Sequence, residues 1–274
     1  MNEGEPSLTA RAVSLCRALA TTTDHRGRRV ELDPTALALS GDPHIARSLA
    51  GLARRSPLAE RAMNLASFGL VGQVAGRTRA IDDALAASAL DQHVILGAGL
   101  DGRAWRLDAL RDSTVYEVDF PATQVLKRRR IASLRAKAAA VRFVAVDFHR
   151  DSLSERLADA GHDDGRPTAW VWEGVTMYLE PAALRASLDA VARRSASGSL
   201  LLVTYSPADT WLFRTPVAPV ARRAFAVLGE PLLGMTTRAR FHEAVEEAGF
   251  RVVDDVSYSP ATDFERLVIA RRPG

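Results

Sequence analysis

Glycines and an acidic residue follow two successive predicted strands in a spacing that suits an adenosine-containing ligand. One apolar stretch runs into Gly97-Ala98-Gly99, and the next ends at Asp119, twenty residues beyond Gly99. Glycines at such a turn let the backbone approach a ligand, and a carboxylate at the end of the next strand can accept hydrogen bonds from ribose hydroxyls. The pattern predicts an adenosine-containing cofactor on a parallel α/β sheet.

The glycine pattern alone does not identify the cofactor, because dinucleotide dehydrogenases share it. Two later predicted strands end at Asp147 and Glu173. Carboxylates at the ends of successive parallel strands meet at one edge of the sheet. S-adenosylmethionine offers a partner to each of the three acids: the ribose, the adenine amine and the methionine amino group. A nicotinamide-dependent oxidoreductase, the alternative, has no use for Asp147 and Glu173.

Several stretches resemble signatures of the leucine carboxyl methyltransferase family, whose bacterial members include many natural-product O-methyltransferases. The resemblance covers roughly residues 7–205. One departure is Gly102, which stands where the family often has threonine, another small residue. The matching stretches are 7–10, 33–34, 76–83, 96–101, 116–121 and 172–179. The resemblance implies S-adenosyl-L-methionine as the cofactor and a Rossmann-like class I methyltransferase fold. This α/β fold has a seven-stranded, mostly parallel sheet.

The resemblance also implies which residues bind the cofactor. Arg77 would pair with the methionine carboxylate, to which a planar guanidinium is well suited. Arg17 would be a second basic residue on that carboxylate, with an exposed helix position as the alternative. The other predicted contacts share a place at the ends of strands: Gly97, Ala98, Gly99, Asp119, Phe120, Asp147, Phe148 and Glu173.

The acceptor side is predicted from position alone. A carboxylate acceptor is ionised near neutral pH and needs no base, whereas a phenol, with a pKa of about 10, would benefit from one. Tyr178 and His149 are the candidate catalytic residues. The alternative for Tyr178 is a packing role under the insertion, and the alternative for His149 is a solvated position in a loop. Residues placed to line a substrate pocket are Tyr178, Tyr205, Trp211 and Arg214. No spacing typical of metal ligands stands out.

Composition narrows the class of protein. The 274 residues are 47% hydrophobic, which is enough for a large α/β core, and the single cysteine excludes a disulfide framework. The 36 basic and 33 acidic residues nearly balance, and the basic run 127–130 points around a helix as a solvated face, so nucleic-acid binding is not expected. No signal-like or membrane-length apolar run is present, so we expect a cytoplasmic protein without a membrane partner.

The chain is expected to form one compact unit with two parts. Residues 1–90 form an N-terminal helical cap with breaks at 21–27, 41–43 and 56–57, and residues 91–274 form the cofactor-binding domain. A proline-rich insertion at 206–236 is either a lid over the substrate or an ordinary packed segment. Predicted strands lie near 93–97, 114–119, 141–147, 168–173, 199–205, 251–258 and 265–271, with a late helix at 237–249.

Together these features predict an S-adenosylmethionine-dependent O-methyltransferase acting on a small molecule. Carboxyl methylation of a secondary metabolite is favoured over methylation of a phenolic hydroxyl. Methylation of a protein C-terminus would need an open groove that the insertion obstructs. A further alternative is a protein that binds the cofactor but catalyses no methyl transfer. The oligomeric state stays open, with a homodimer among the options.

Overall fold

The computed structural model describes residues 8–24, 26–41, 43–147, 150–210, 223, 232–258 and 263–274. Helices dominate before residue 90, as the sequence predicts. Ser56 begins one of them by accepting a hydrogen bond from the backbone N–H of Ala59, with Pro57 in the first turn. The elements are α1 Leu8–Leu19, β1 Thr21–Thr23, β2 Arg29–Glu31, α2 Ala36–Leu39, α3 Pro43–Arg55, α4 Pro57–Ala66 and α5 Leu70–Ser88.

A short antiparallel hairpin interrupts these helices where only a break was predicted. β1 pairs with β2, with Thr22 opposite Val30. Glu60 of α4 accepts hydrogen bonds from the backbone N–H of Thr21 at 3.0 Å and from its hydroxyl at 2.9 Å, and so covers the outer edge of β1. Strands of three residues are too short to show an alternating pattern, which is why the sequence did not reveal them.

The remaining strands form one seven-stranded sheet. Its order is β5-β4-β3-β6-β7-β9-β8, with β3 to β7 parallel and β9 antiparallel to both of its neighbours. The mostly parallel sheet and every strand are therefore as predicted, with bounds that agree within two residues. The strands are β3 Gln92–Leu96, β4 Thr114–Asp119, β5 Ala140–Ala145, β6 Ala169–Trp172, β7 Leu200–Tyr205, β8 Arg251–Val256 and β9 Arg266–Arg271.

Helices cover both faces of the sheet. β3, β6 and β7 are buried along their whole length, which explains their continuous apolar sequences. One face packs on Phe241 and Leu188, and the other packs on Ile81 and Trp105. Pro121, Ser152 and Thr237 start helices. The helices are α6 Arg103–Arg106, α7 Pro121–Arg130, α8 Leu153–Asp159, α9 Pro181–Arg193 and α10 Arg238–Glu247.

The basic run on α7 is not a solvated face as a whole, and for Lys127 that prediction is wrong. Lys127 is 1% exposed, and its Nζ lies 2.7 Å from Oε2 of the fully buried Glu117 and 5.2 Å from the ring centroid of Trp105. Burial raises the pKa of Glu117 to about 7, although the charge of Lys127 acts in the opposite direction. The side chains of the run do point in different directions around the helix, as predicted. The guanidinium of Arg128 lies over the ring of Phe143, whereas Lys127 lies near Trp105.

The described ends of the proline-rich insertion are held close to the sheet. Ala208 N donates to Thr236 O at 2.8 Å, and Gly234 N donates to Met177 O at 2.9 Å. A Cβ on Gly234 would lie only 2.1 Å from Thr176 O, so this approach requires glycine. The middle of the insertion lies outside the described residues, and its predicted role as a lid stays a prediction.

Within the described ranges, no helix combines the length and the apolar character that crossing a bilayer would require. The same residues contain no group of three or more histidine, cysteine or acidic side chains placed to share a metal ion. Cys16 is a free, buried thiol, and burial raises its pKa to about 11. A thiol in this setting is unreactive and packs as a small apolar residue on α1.

Candidate cofactor-binding site

The turn after β3 and the end of β4 form one edge of the site. Gly97 and Gly99 have φ values of +62° and +44°, in the left-handed region that favours glycine. Asp119 Oδ2 accepts a hydrogen bond from Gly99 N, and its Oδ1 accepts one from Phe120 N at 2.6 Å. Ala98 N donates to Val118 O at 3.0 Å. The predicted ribose carboxylate is thus fixed beside the predicted methionine turn.

Glu173, just after β6, lies among three arginines. Its Oε1 accepts hydrogen bonds from Arg17 Nη2 at 2.5 Å and from Arg77 Nε at 2.7 Å, and its Oε2 accepts one from Arg103 Nη1 at 2.7 Å. Burial would raise the pKa of Glu173, but the charges of the three arginines hold it well below its ordinary range. Glu173 is therefore an ionised carboxylate in a buried setting.

Arg17 and Arg77 are both buried beside Glu173, and their predicted contact with the cofactor carboxylate stays a prediction. The alternative of an exposed helix position for Arg17 is wrong, because this residue is 6% exposed and reaches Glu173 across 156 positions of sequence. Arg77 is 5% exposed, and its Nη1 donates to Oε2 of the fully buried Glu265 at 2.6 Å. Burial lowers the pKa of Arg77, but the charges of Glu265 and Glu173 more than offset this, so the guanidinium stays protonated.

Arg103 is a central residue that the sequence analysis missed. This first residue of α6 is fully buried, and its Nε donates to Asp82 Oδ1 at 2.7 Å, while Nη1 donates to both Asp101 and Glu173. A signal was present, because Asp101 and Arg103 are charged residues directly after the glycine turn. Glu265 carried no comparable signal, since it lies at the start of a late strand.

These ion pairs join into one network, which we call the ionic cluster. It comprises four arginines and five carboxylates and therefore carries one net negative charge. S-adenosylmethionine, with a sulfonium, an ammonium and a carboxylate, carries one net positive charge, so the donor set and the charge of the cluster fit this cofactor. Its members are Arg17, Arg77, Arg103, Arg106, Asp33, Asp82, Asp101, Glu173 and Glu265.

Gly102 is more than a small residue in place of another, because the space beside it admits no side chain. A Cβ on Gly102 would lie 1.9 Å from Thr35 Oγ1 and 3.2 Å from the carboxylate oxygens of Asp33. Asp33 holds this turn by accepting hydrogen bonds from the backbone N–H groups of Thr35 at 3.0 Å and Ala36 at 3.1 Å. Glycine at 102 lets the cap approach the glycine turn.

Asp147 lies just beyond β5, at the same edge of the sheet. Its side chain is 24% exposed, and its Oδ2 lies 3.8 Å from Arg150 Nε, which is a loose ion pair. The backbone N–H of Asp147 donates to Asp151 Oδ2 at 2.9 Å. The predicted adenine contact of Asp147 stays a prediction, and Phe148 and His149 lie outside the described residues.

The predicted acceptor residues do not form one pocket among the described residues. Tyr178 is half-buried at the end of a 3-10 turn, Thr176–Tyr178. Tyr205 lies in the core, where its ring stacks on Phe241 at 4.2 Å between centroids and its hydroxyl donates to Asp255 Oδ2 at 2.8 Å. The pleat of β7 turns Tyr205 into the core, where it is fully buried. The prediction that Tyr205 lines a substrate pocket is therefore wrong. Trp211 and Arg214 lie outside the described residues.

Comparison with known proteins agrees with this geometry. The model of the leucine carboxyl methyltransferase family matches residues 10–192. A provisionally named S-adenosyl-L-methionine-dependent methyltransferase of Mycobacterium sp. (strain JLS) is 44% identical over 135 residues, which are 49% of this chain and 45% of that protein. A second protein with this provisional name, from Mycolicibacterium paratuberculosis (strain ATCC BAA-968 / K-10), is 38% identical over 211 residues, 74% of this chain and 67% of that protein.

A solved structure provisionally described as a methyltransferase from Thermobifida fusca YX has the same fold. Its TM-score is 0.61 at 17% identity, and the alignment covers 100% of this chain and 97% of that chain. The match to the first mycobacterial relative, in contrast, spans a little under half of that protein's length. The predicted methyltransferase fold and family resemblance are confirmed, and the relatives' names carry the predicted cofactor.

Proposed function

Because this chain belongs to the leucine carboxyl methyltransferase family, we propose that it transfers a methyl group from S-adenosyl-L-methionine to an oxygen atom of a small molecule. The observation that carries the proposal is the position of Glu173. This carboxylate lies between Arg17 and Arg77 at the end of β6, while Asp119 lies over the glycine turn at the end of β4. These groups match the charged and polar parts of the cofactor.

Each residue has a defined part in binding. Arg17 and Arg77 bind the methionine carboxylate, Glu173 accepts hydrogen bonds from the amino group, and Asp119 accepts them from the ribose hydroxyls. Asp147 faces the adenine amine in this proposal. The bound cofactor supplies a methyl group on a positively charged sulfur, which a nucleophile attacks in line. The protein's contribution is to hold that methyl group and the acceptor oxygen in the reactive geometry.

The state of the acid groups favours a carboxylate acceptor. Asp101 and Glu173 are paired with arginines, whose charges hold the pKa of each carboxylate below its ordinary value, so both are weak bases. A phenol needs its proton removed, whereas a carboxylic acid is already ionised near neutral pH. The product we propose is therefore a methyl ester of a secondary metabolite. Methylation of a phenolic hydroxyl is the second candidate, with Tyr178 or His149 assisting.

The proposal extends to the acceptor, the cellular compartment and the partners of the protein. The acceptor is a small molecule, bound with the help of Trp211 and Arg214 in the insertion. The protein acts in the cytoplasm, without a nucleic acid or a membrane as partner. A homodimer is one arrangement compatible with this activity.

Calorimetry with the whole protein tests the cofactor. We expect S-adenosylhomocysteine to bind at micromolar concentrations and NAD not to bind. Binding of NAD alone would overturn the proposal in favour of hydride transfer. Binding of S-adenosylhomocysteine without methyl transfer to any acceptor would leave a catalytically silent cofactor-binding protein.

Radiolabelled S-adenosylmethionine and a panel of carboxylic acids and phenols then test the acceptor. Mild alkali hydrolyses a methyl ester and leaves a phenolic methyl ether intact. We expect the label to be released from the product as methanol. An alkali-stable product would contradict carboxyl methylation and support the phenolic acceptor.

A further inference from the structure

Glu265 is a fully buried carboxylate behind Arg77, and the function proposed above gives it no role. Its Oε2 accepts hydrogen bonds from Arg77 Nη1 at 2.6 Å and from Gln73 Nε2 at 3.4 Å. Arg77 and Gln73 are four residues apart on α5, so both side chains extend from the same face of that helix. The helix and the start of β9 are thus joined through a single carboxylate.

The neighbouring segment makes this junction tight. Tyr258 O lies 2.6 Å from the position that a Cβ of Gly76 would take, so the chain before β9 packs directly against α5. Burial and the charge of Glu265 raise the pKa of the Tyr258 hydroxyl well above its ordinary value, which keeps this phenol neutral. Among the described residues, Arg77 is the only cation that forms an ion pair with Glu265.

Arg77 and Glu173 each use separate atoms for separate partners. Arg77 contacts Glu173 through Nε and Glu265 through Nη1. Glu173 accepts hydrogen bonds from Arg77 and Arg17 on Oε1 and from Arg103 on Oε2. Arg77 can therefore release Glu173 from Nε and keep Glu265 on Nη1. Glu173 can release the arginines on Oε1 and keep Arg103 on Oε2.

We propose that Glu265 is a positioning residue that holds Arg77 in place while its Nε exchanges Glu173 for the carboxylate of the cofactor. Arg103 holds Glu173 in the same way while Oε1 becomes free for the amino group of the cofactor. This inference rests on the cofactor binding proposed above.

The energetic reason is that a buried guanidinium cannot be left without a partner. Removing one member of a buried ion pair leaves an uncompensated charge, which is strongly unfavourable. With Glu265 present, Arg77 keeps one carboxylate throughout the exchange. Without that group, Arg77 has only Glu173, and the cofactor carboxylate must compete directly for it.

The test compares two ligands that differ in the methionine portion alone. S-adenosylhomocysteine has the carboxylate and the amino group, whereas 5′-methylthioadenosine lacks both and keeps the adenosine. In Glu265→Gln we expect affinity for S-adenosylhomocysteine to fall about tenfold or more, the loss of a charge-assisted contact. Affinity for 5′-methylthioadenosine is expected to stay within about twofold of the wild-type protein. Calorimetry on the full chain gives both constants.

Asp255→Asn is the matched control. Asp255 is also a largely buried carboxylate at the β8–β9 pair, but its side chain contacts Tyr205, His242 and Arg266 rather than any arginine of the ionic cluster. Both ligands should bind this variant like the wild-type protein. Gln73→Met keeps the shape of the side chain, removes the amide donor to Glu265, and should cause a smaller loss that is again confined to S-adenosylhomocysteine.

Each result decides the matter. Unchanged affinity for S-adenosylhomocysteine in Glu265→Gln would overturn the inference, and equal losses for both ligands would show a purely structural role. If Glu265→Gln does not fold, Gln73→Met decides by the same two criteria. A wild-type protein that binds neither ligand would overturn the proposed function itself. A wild-type protein that binds both, with no selective loss in the variants, would overturn this inference alone.

Discussion

Arg103 Nη1 lies 2.7 Å from Glu173 Oε2, although the two residues are 70 positions apart in the chain. Arg103 follows the glycine turn after β3, and Glu173 follows β6, the strand next to β3 in the sheet. The hydrogen bond therefore ties together the ends of two neighbouring strands at the edge where the cofactor is proposed to bind. Together with Arg17 and Arg77, Arg103 holds the pKa of Glu173 well below its ordinary value against the effect of burial, because nearby guanidinium groups favour the ionised carboxylate.

Arg103→Lys should destabilise the protein. An ammonium cannot bridge Asp82, Asp101 and Glu173 as the guanidinium does, so buried carboxylates lose their partners. We expect the free energy of unfolding to fall by about 3–5 kcal/mol, measured by denaturant titration. Arg111→Lys, at an exposed pair with Asp108, is the control and should change it by less than about 0.5 kcal/mol. Similar effects of both substitutions would contradict a structural role for Arg103.

Asp119→Asn should weaken binding of every ligand that contains the ribose. We expect S-adenosylhomocysteine and 5′-methylthioadenosine to lose affinity together, by about tenfold, because the amide accepts less strongly than the carboxylate and brings donors of its own. Calorimetry measures both constants, and the exposed Asp112→Asn serves as control. Unchanged affinity in a folded Asp119→Asn protein would remove the ribose assignment.

Arg77→Ala should abolish most of the affinity for the methionine portion. The substitution removes the donor to the cofactor carboxylate and leaves Glu265 buried without its cation, so both binding and stability should fall, each by more than about 2 kcal/mol. Arg79→Ala is a close control on the same helix, since Arg79 is exposed and contacts Thr21 O instead. Full affinity for S-adenosylhomocysteine in Arg77→Ala would refute the match of the N-terminal region to the family.

Glu117 should make stability depend on pH. Its pKa is raised by burial from 4.5 to about 7, so between these values the folded protein holds a proton that the unfolded chain releases. The contribution of Glu117 to the free energy of unfolding must therefore fall as the pH rises through this range. Denaturant titrations of wild-type protein and Glu117→Gln across the range should show the wild type losing stability relative to the variant. A difference that is constant, or that grows in favour of the wild type, would be inconsistent with this shift.

Gly102→Ala should destabilise the contact between the cap and the glycine turn. The added Cβ would meet Thr35 Oγ1 at 1.9 Å, and overpacking of this kind costs about 1–3 kcal/mol. Thr35→Ala removes that oxygen, so the double variant Gly102→Ala, Thr35→Ala should recover part of the loss relative to Thr35→Ala alone. Thermal unfolding of the four proteins provides the cycle. Purely additive effects would show that the two residues do not meet.

The sheet could be predicted from the sequence because its strands are locally encoded. β3, β6 and β7 are buried on both faces, and such strands consist almost entirely of apolar residues. Pro121 and Thr237 mark helix starts through their own backbone and side-chain chemistry. The hairpin of β1 and β2 escaped the same reasoning because strands of three residues carry too little pattern.

The sequence by itself determined the order of strands along the chain, the glycine turn after β3 and the acidic residues that end the parallel strands. Only the tertiary structure decided which charges meet. Arg17 could be read as an exposed helix residue and Lys127 as part of a solvated run. Yet Arg17 is buried against Glu173, 156 positions away, and Lys127 is buried against Glu117 of the preceding strand. Glu265, the residue just before β9, reaches Arg77 of α5. Local propensity depends on neighbours in sequence, whereas the pairing of buried charges depends on how the strands and helices are packed, which no short stretch of sequence contains.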